Sequence, residues 1–325
     1  MLVSLFICPL CHSPLQPALD TWRCNGSLHP KQTCHTFDVA RQGYINLLPV
    51  QQKKSKAPGD SLSSIMARQR FLHAGHYQPL QALVCEQIDT LLSKHDAEHS
   101  EINAKQNKHS SNWLDIGCGE GYYTQAIAQT ADGLIDTLIA ADISKPAVFA
   151  VAKASKVAKR LWCQTNRQYE NGQEENASKN TVIYPLVTSA AHLPLSAHSM
   201  RGISSIFSPI LPEVFAHLLA DDGYLVIAKP DVGHLATIRE ALFDEVREHD
   251  SDKFLTELAP YFKVIDIHYV STALTLSSES LADLLTMTPY AYRAHAEKRQ
   301  AILTRADAEL FHTEAKFVLY VLQKI

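Results

Sequence analysis

The 325-residue sequence contains no apolar run near the roughly 18 residues that a membrane-spanning helix needs, and its 20% charged content suits a water-soluble protein. It also lacks a secretion-type start. Met1–Ile7 is apolar but has no basic lead and runs straight into Cys8-Pro9-Leu10-Cys11, so a short strand is expected there. Seven cysteines are too few for a disulfide scaffold, and too unevenly spread, since four fall before residue 35. A reducing, cytoplasmic setting with a metal site is expected instead. There are no internal repeats. Glutamate is absent from the first 80 residues, which hold eight Lys or Arg against three Asp (+5), whereas the remainder holds 22 basic against 31 acidic residues (−9). The positive end is the expected contact for a polyanion.

Residues 1–46 carry Pro, Gly and a Cys/His cluster and can bury little core, so a metal is the natural staple for this first unit. Residues 47–112 read as a helical linker. A helix passes through Ile65, Met66, Arg68 and Phe71 after the turn Pro58-Gly59-Asp60-Ser61, a second spans about Gln78–Ser93, and a polar loop follows from Lys94 to Asn112. From residue 113 to 325 strands and helices alternate. Strands are expected at Trp113–Ile116, Leu134–Ala141, Val182–Val187, Ser204–Phe207, Gly223–Ala228, Phe262–Val270 and Lys316–Leu322. Helices are expected at Tyr123–Thr130, Lys145–Arg160, Leu211–Leu219, Leu235–Glu248 and Ser278–Leu285, with Thr165–Asn180 as a polar surface insertion. Such alternation predicts an α/β, doubly wound, mostly parallel sheet covered on both faces.

In the first unit, Cys8 and Cys11 form a Cys-x2-Cys pair that lets two thiolates from one turn occupy adjacent corners of a tetrahedral zinc site. Cys24 is the third ligand, and spacing leaves His29, Cys34 and His35 open as the fourth. Four protein ligands leave no position for water, so such a zinc would be structural. A redox pair would open a helix within a βαβ unit, and nothing of that kind follows Cys11.

The run Asp115-Ile116-Gly117-Cys118-Gly119-Glu120-Gly121 turns a strand sharply into a helix and allows close approach of a nucleotide-like ligand. Its spacing is not the Gly-x-Gly-x-x-Gly of dinucleotide folds, and it lacks the Lys-Ser/Thr ending of a phosphate loop. The acid Asp115 suits a cofactor bearing an amino group and a sulfonium, which points to S-adenosylmethionine. Asp142, at the end of the next strand, is positioned to accept ribose hydroxyls, and Ser189 to meet the adenine edge.

The stretches Phe37–Gln51, Pro58–Ser61, Ala67-Arg68, Phe71–Leu80, Leu114–Tyr123 and Met287-Thr288-Pro289 closely resemble the large-subunit (23S) ribosomal RNA (guanine-N1)-methyltransferases over nearly the whole chain. The resemblance implies a class I, Rossmann-like methyltransferase domain behind a zinc-binding RNA-recognition module, and a homodimer. It implies Cys8, Cys11, Cys24 and His35 as zinc ligands, and Tyr77, Gly119, Glu120 and His234 around the methyl donor. Hairpin phosphates of the ribosomal RNA are expected to meet Arg41, Lys53, Lys54, Lys56, Arg68 and Arg70.

Guanine N1 is protonated at neutral pH, so a base or an oxygen-stabilising group near Ser208-Pro209-Ile210 or Asp231 is expected to assist the transfer. Two rival readings remain at this stage. One is a small-molecule methyltransferase with a zinc lid, and the other is a non-catalytic RNA-binding protein on the same scaffold.

Overall fold

The computed structural model describes residues 4–103, 111–155, 181–244 and 253–325, with 95–103, 253 and 291 as backbone only. A segment this short can sustain only brief strands and tight turns, and the amino end forms four such strands. These are β1 (Phe6–Ile7), β2 (Pro14–Gln16), β3 (Thr21–Cys24) and β4 (Thr36–Asp38), an antiparallel sheet in that order. The unit buries little beyond Phe6, Leu15 and Trp22 and its cysteines.

The next elements are β5 (Ile45–Asn46), α1 (Leu62–His73) and α2 (Gln78–Asn103). Ser61 caps α1, its hydroxyl accepting the Ser64 N–H at 3.2 Å. In α2, Leu80, Val84 and Ile88 recur at helical spacing and are fully buried. This helix continues to Asn103, through most of the stretch expected to be a loop. Its described part, 94–103, has no proline or glycine to stop the helix, which therefore continues without a broad apolar stripe in the sequence. Residues 104–110 of it lie outside the described residues, and Asn112 already belongs to the next strand.

Alternation then follows: β6 (Asn112–Ile116), α3 (Tyr122–Thr130), β7 (Thr137–Asp142), α4 (Lys145–Ala154), β8 (Val182–Val187), β9 (Met200–Ile206), α5 (Pro212–Leu218) and β10 (Leu219–Pro230). The chain closes with α6 (Ala236–Leu242), α7 (Lys253–Leu258), β11 (Phe262–Leu276), α8 (Ser278–Met287), α9 (Tyr290–Arg293), α10 (Ala296–Ala308) and β12 (Phe311–Lys324). The expected insertion Thr165–Asn180 and the far ends of the helices expected at Lys145–Arg160 and Leu235–Glu248 lie outside the described residues. The helices α7, α9 and α10 were not expected. In α10 only Ile302 and Ala306 are buried, too narrow a stripe to announce a helix in the sequence.

The large sheet runs β11-β12-β10-β9-β6-β7-β8-β5, with β12 antiparallel to both neighbours and the remaining pairs parallel. This order, with one reversed strand near the edge, is that of the class I methyltransferase fold. Successive residues of the central strands enter opposite cores. Trp113, Leu138 and Val226 join one, and Leu114, Ile139 and Leu225 join the other, so both faces are covered. Trp113 needs its neighbour to be glycine, since a Cβ at Gly202 would stand 2.0 Å from the indole.

The amino-terminal unit is docked on this sheet. Phe6 packs 5.2 Å from the Tyr184 ring of β8, the Ile7 N–H donates to Pro194 O at 3.0 Å, and the Ser196 hydroxyl donates to Ser4 O at 2.5 Å. The chain leaving it pairs as β5 along β8, so the linker begins as part of the sheet edge. Strand order reverses between β6 and β9, and ligands of such sheets collect at the carboxyl ends of the strands there.

Candidate active site and metal centre

At that reversal the chain passes from β6 into α3 through three left-handed glycines, Gly117 (φ 68°), Gly119 (φ 56°) and Gly121 (φ 91°). Gly117 also admits no side chain, because a Cβ would lie 2.4 Å from Ser208 Cβ. The loop is fastened to the end of β7. Gly117 N–H donates to Ala141 O at 2.8 Å, Gly119 N–H to Asp142 Oδ2 at 3.0 Å, and Ser144 N–H to Asp142 Oδ1 at 2.7 Å. Each Asp142 oxygen retains acceptor capacity for a further donor.

Asp115 faces the root of the loop. It is 2% exposed and accepts from the Thr124 hydroxyl at 2.5 Å and the Ser204 hydroxyl at 2.8 Å. Burial pushes its carboxyl up to about 6, while these two hydroxyls pull it down. Its geometry is that of a brace holding β6, α3 and β9 together.

Glu120 is 4% exposed and its Oε2 meets no protein donor among the described residues. Burial raises its pKa to about 7, and Arg68 opposes that rise. A buried carboxylate oxygen without a partner is costly unless a ligand supplies a donor or a positive charge. This oxygen therefore fits a cofactor carrying an ammonium or sulfonium group.

The linker crosses the same place. Gly59 is packed so closely on Ser144 that a Cβ would come within 2.7 Å of it, and the Ser144 hydroxyl donates to Asp60 O at 2.8 Å. Arg68 pairs with Asp60 at 2.7 Å and donates to Met287 O at 3.2 Å, and a Cβ on Gly119 would stand 3.5 Å from its Nη1.

Beside the loop lies a group of rings. Phe317 is 4.8 Å from both Tyr77 and His234, and Phe207 lies 5.4 Å from Phe317, 6.4 Å from Tyr123 and 6.5 Å from Tyr77. Burial drives the Tyr77 hydroxyl well above its ordinary pKa. His234 Nδ1 lies 3.1 Å from Lys316 N, which orients the ring against β12. Ser189 follows β8, and its hydroxyl caps the short turn Ala190–His192 by accepting from Ala191 N at 3.3 Å. Tyr77, Glu120, His234 and the glycines thus gather on one edge, whereas Asp115 points beneath it.

The basic residues divide. Arg41, Lys53, Lys54 and Lys56 are exposed. Arg68 is committed to Asp60 beside the glycine loop, and Arg70 grips the buried Asp283 of α8 with two bonds of 2.9 and 2.5 Å. Those two guanidinium groups are occupied within the protein. Sequence reasoning missed the Arg68–Asp60 strap and Phe207, although the Pro58-Gly59-Asp60-Ser61 motif and the adjacent Ser208-Pro209-Ile210 were both in view.

At the other end, the ligand atoms of Cys8, Cys11, Cys24 and His35 lie within 4.8 Å of one another. A tetrahedral zinc imposes sulfur–sulfur edges of about 3.8 Å and sulfur–nitrogen edges of about 3.5 Å. Cys11 Sγ and Cys24 Sγ are 3.8 Å apart, and His35 Nδ1 is 3.5 Å from Cys8 Sγ and 3.6 Å from Cys24 Sγ. The donor set and spacing fit zinc. His29 is excluded as fourth ligand, because its Nδ1 accepts the Lys31 and Thr33 N–H groups at 3.2 and 3.3 Å. Among the described residues the cluster includes neither Cys34 nor His29, so the open choice left by sequence spacing falls to His35.

Residues 6–56 match the family described as "RlmA, N-terminal", a zinc ribbon. The amino-terminal unit thus resembles the zinc ribbon of that family. Similarity extends beyond the zinc ribbon to most of the chain. A Streptomyces fradiae protein named "23S rRNA (guanine(748)-N(1))-methyltransferase" is 28% identical over 93% of this chain and 90% of its own. A Bacillus subtilis (strain 168) protein named "Putative 23S rRNA (guanine-N(1)-)-methyltransferase YxjB" is 28% identical over 94% of each chain. A Micromonospora griseorubida protein with the same type of name is 27% identical over 72% of this chain and 68% of its own. The chain is thus similar over most of its length to proteins named for guanine-N1 methylation of 23S rRNA, and its own residues 6–56 match the zinc-ribbon family.

Proposed function

We propose that this protein is an S-adenosylmethionine-dependent methyltransferase that modifies guanine N1 in a hairpin of 23S ribosomal RNA. What carries the reading is the union, in one chain, of an RlmA-type zinc ribbon with a glycine loop beside which Glu120 holds an unpartnered carboxylate oxygen. Near-full-length similarity to proteins named for this reaction supports it. In this reading residues 1–46 recognise RNA, 47–112 join the modules and strap the donor loop, and 113–325 carry the transfer.

Bound S-adenosylmethionine would supply an electrophilic methyl on a cationic sulfur, leaving a neutral thioether once that methyl is on N1. Glu120 would receive the positive end of the donor, Asp142 the ribose hydroxyls, and Ser189 the adenine edge. Tyr77 and His234 close the sides. Asp115 braces the loop through Thr124 and Ser204. Rate acceleration comes chiefly from holding N1 in line with the methyl. The N1 proton would pass to a base at the carboxyl edge of the sheet, for which the Asp231 carboxylate is the candidate. N1 lies on the pairing edge, so the base must be unpaired or extruded to react. Arg41, Lys53, Lys54 and Lys56 contact hairpin phosphates.

Among the described residues no helix is long and apolar enough to cross a membrane. The reading also carries a cytoplasmic setting and a homodimer, the latter open to sedimentation analysis. The deciding experiment incubates zinc-loaded protein with 23S rRNA of its host and labelled donor, then maps the product. One guanine labelled at N1 is expected. Protein that binds the donor yet labels no guanine would overturn the proposal.

A further inference from the structure

We propose that Phe207 is the platform on which the target guanine stacks when it enters the active site. The inference rests on the functional reading above and adds to it the surface that receives the base. Of the rings gathered beside the glycine loop, Phe207 alone is open to solvent. It is 44% exposed, against 4% for Tyr77, 8% for Tyr123, 9% for His234 and 1% for Phe317. Hydrophobic collapse does not account for a phenylalanine left outward in a cluster whose other members are buried.

Its backbone adds an independent observation. Phe207 has φ 55°, the left-handed region that is unfavourable for a bulky residue. Strain of this kind persists where the surroundings enforce it, and it concentrates at functional positions. Here the enforcement is visible on both sides of the residue. The Phe207 N–H donates to Ala228 O at 3.1 Å, and the next residue, Ser208, is pressed against Gly117 and shares a 2.8 Å hydroxyl contact with Ser205. Relaxing Phe207 to an ordinary conformation would break this path and withdraw the ring from the cluster.

The position suits the chemistry. Phe207 directly follows β9, at the carboxyl edge next to the strand reversal, and the adjoining Ser208 is pressed against Gly117 of the loop that carries Glu120. A guanine stacked on an outward ring keeps its pairing edge free, and that edge bears N1. Unpaired bases are held in this way by aromatic side chains, whose π-face accepts any base and leaves the edges to be read by other groups. The partner is therefore a planar purine from single-stranded or extruded RNA. Phe317, Tyr77 and Tyr123 support the platform from beneath by contacts of 5.4 to 6.5 Å between ring centres.

The test uses the full-length, zinc-loaded protein and the host 23S rRNA, once the guanine methylated by the wild type has been mapped. Phe207→Gly keeps the left-handed backbone without strain and so protects the fold, and Phe207→Leu keeps apolar bulk without a π-face. Phe207→Tyr keeps the ring. Both non-aromatic variants are expected to lose roughly tenfold to a hundredfold in kcat/KM for RNA, the span of one stacking contact. Donor affinity by calorimetry should stay within about twofold, the melting temperature of Phe207→Gly should not fall, and Phe207→Tyr should retain most activity. A hairpin with 2-aminopurine at the mapped position should show fluorescence quenching with wild type and Phe207→Tyr but not with Phe207→Gly or Phe207→Leu. Undiminished methylation by Phe207→Gly overturns the inference alone, as does a Leu variant equal to Tyr, or a parallel loss of donor affinity. A wild type that methylates no guanine overturns the functional reading and the inference together.

Discussion

Arg68 holds Asp60 at 2.7 Å, and through that pair the segment leaving the zinc ribbon is tied across the loop expected to bind the methyl donor. The pair is half-shielded, with Arg68 23% and Asp60 46% exposed, so solvent screens part of its energy. Its importance is positional. Arg68→Ala is expected to weaken donor binding by about fivefold, equivalent to about 1 kcal/mol. Arg68→Lys should recover only part of this, since a lysine cannot also reproduce the bond to Met287 O. Calorimetric titration with the donor, without RNA, decides the matter, and unchanged affinity in both variants would remove the strap from donor binding.

Zinc removal should separate the two ends of the molecule. The first unit has little apolar area besides Phe6, Leu15 and Trp22, so its order depends on the four ligands. Chelation, or Cys24→Ser, is expected to unfold residues around the ribbon and expose Trp22, which is 1% accessible in the folded protein. Tryptophan emission should shift to the red, and a Trp22→Phe control should lose that shift. RNA methylation should fall away while donor affinity persists, because no zinc ligand touches the glycine loop. Loss of donor binding on chelation would mean that the ribbon also holds the catalytic domain together.

The sequence disclosed the parts whose physics is local. Runs such as Leu138–Ala141 are apolar without alternation because both faces of a parallel strand are covered, and they stand between helices, so the doubly wound sheet is readable. Cys-x2-Cys declares a metal turn. What escaped depended on partners distant in the chain or on the direction of a side chain. No spacing rule distinguishes His35 from His29, yet the two N–H donors held by His29 do. Arg70 looks like a free phosphate contact until its partner, Asp283, 213 residues away, is seen. A carboxylate ending a strand can face the ligand or the root of the loop, and Asp115 takes the root. The extension of α2 and the presence of α10 escaped because neither carries a broad apolar stripe.

Among the basic residues considered for RNA, Lys53 and Lys54 are exposed. Replacing both with Ala is expected to weaken RNA binding and lower the slope of log affinity against log salt by roughly 1.4 to 1.8, as for two lost phosphate contacts. Donor affinity should not change. Filter binding across a salt series checks this, and an unaltered slope would move the RNA contact elsewhere.

Glu120 gives the donor site a pH signature. Burial lifts its carboxyl from 4.5 to about 7, so in the free protein it stays protonated well above the pH at which the unfolded chain has ionised. Between those values the folded state binds more protons than the unfolded one, and Glu120 therefore makes stability fall as pH rises from 4.5 to about 7. A cationic donor reverses the preference by favouring the ionised carboxylate. Donor affinity should therefore rise with pH, approaching tenfold per unit well below about 7 and levelling above it. Glu120→Gln should bind more weakly at pH 8 and remove this component, and taking the ratio of wild type to variant cancels titration of the donor itself. Calorimetry from pH 5.5 to pH 8.5 supplies both curves, and a constant ratio across that range would show that Glu120 does not meet the donor's charge.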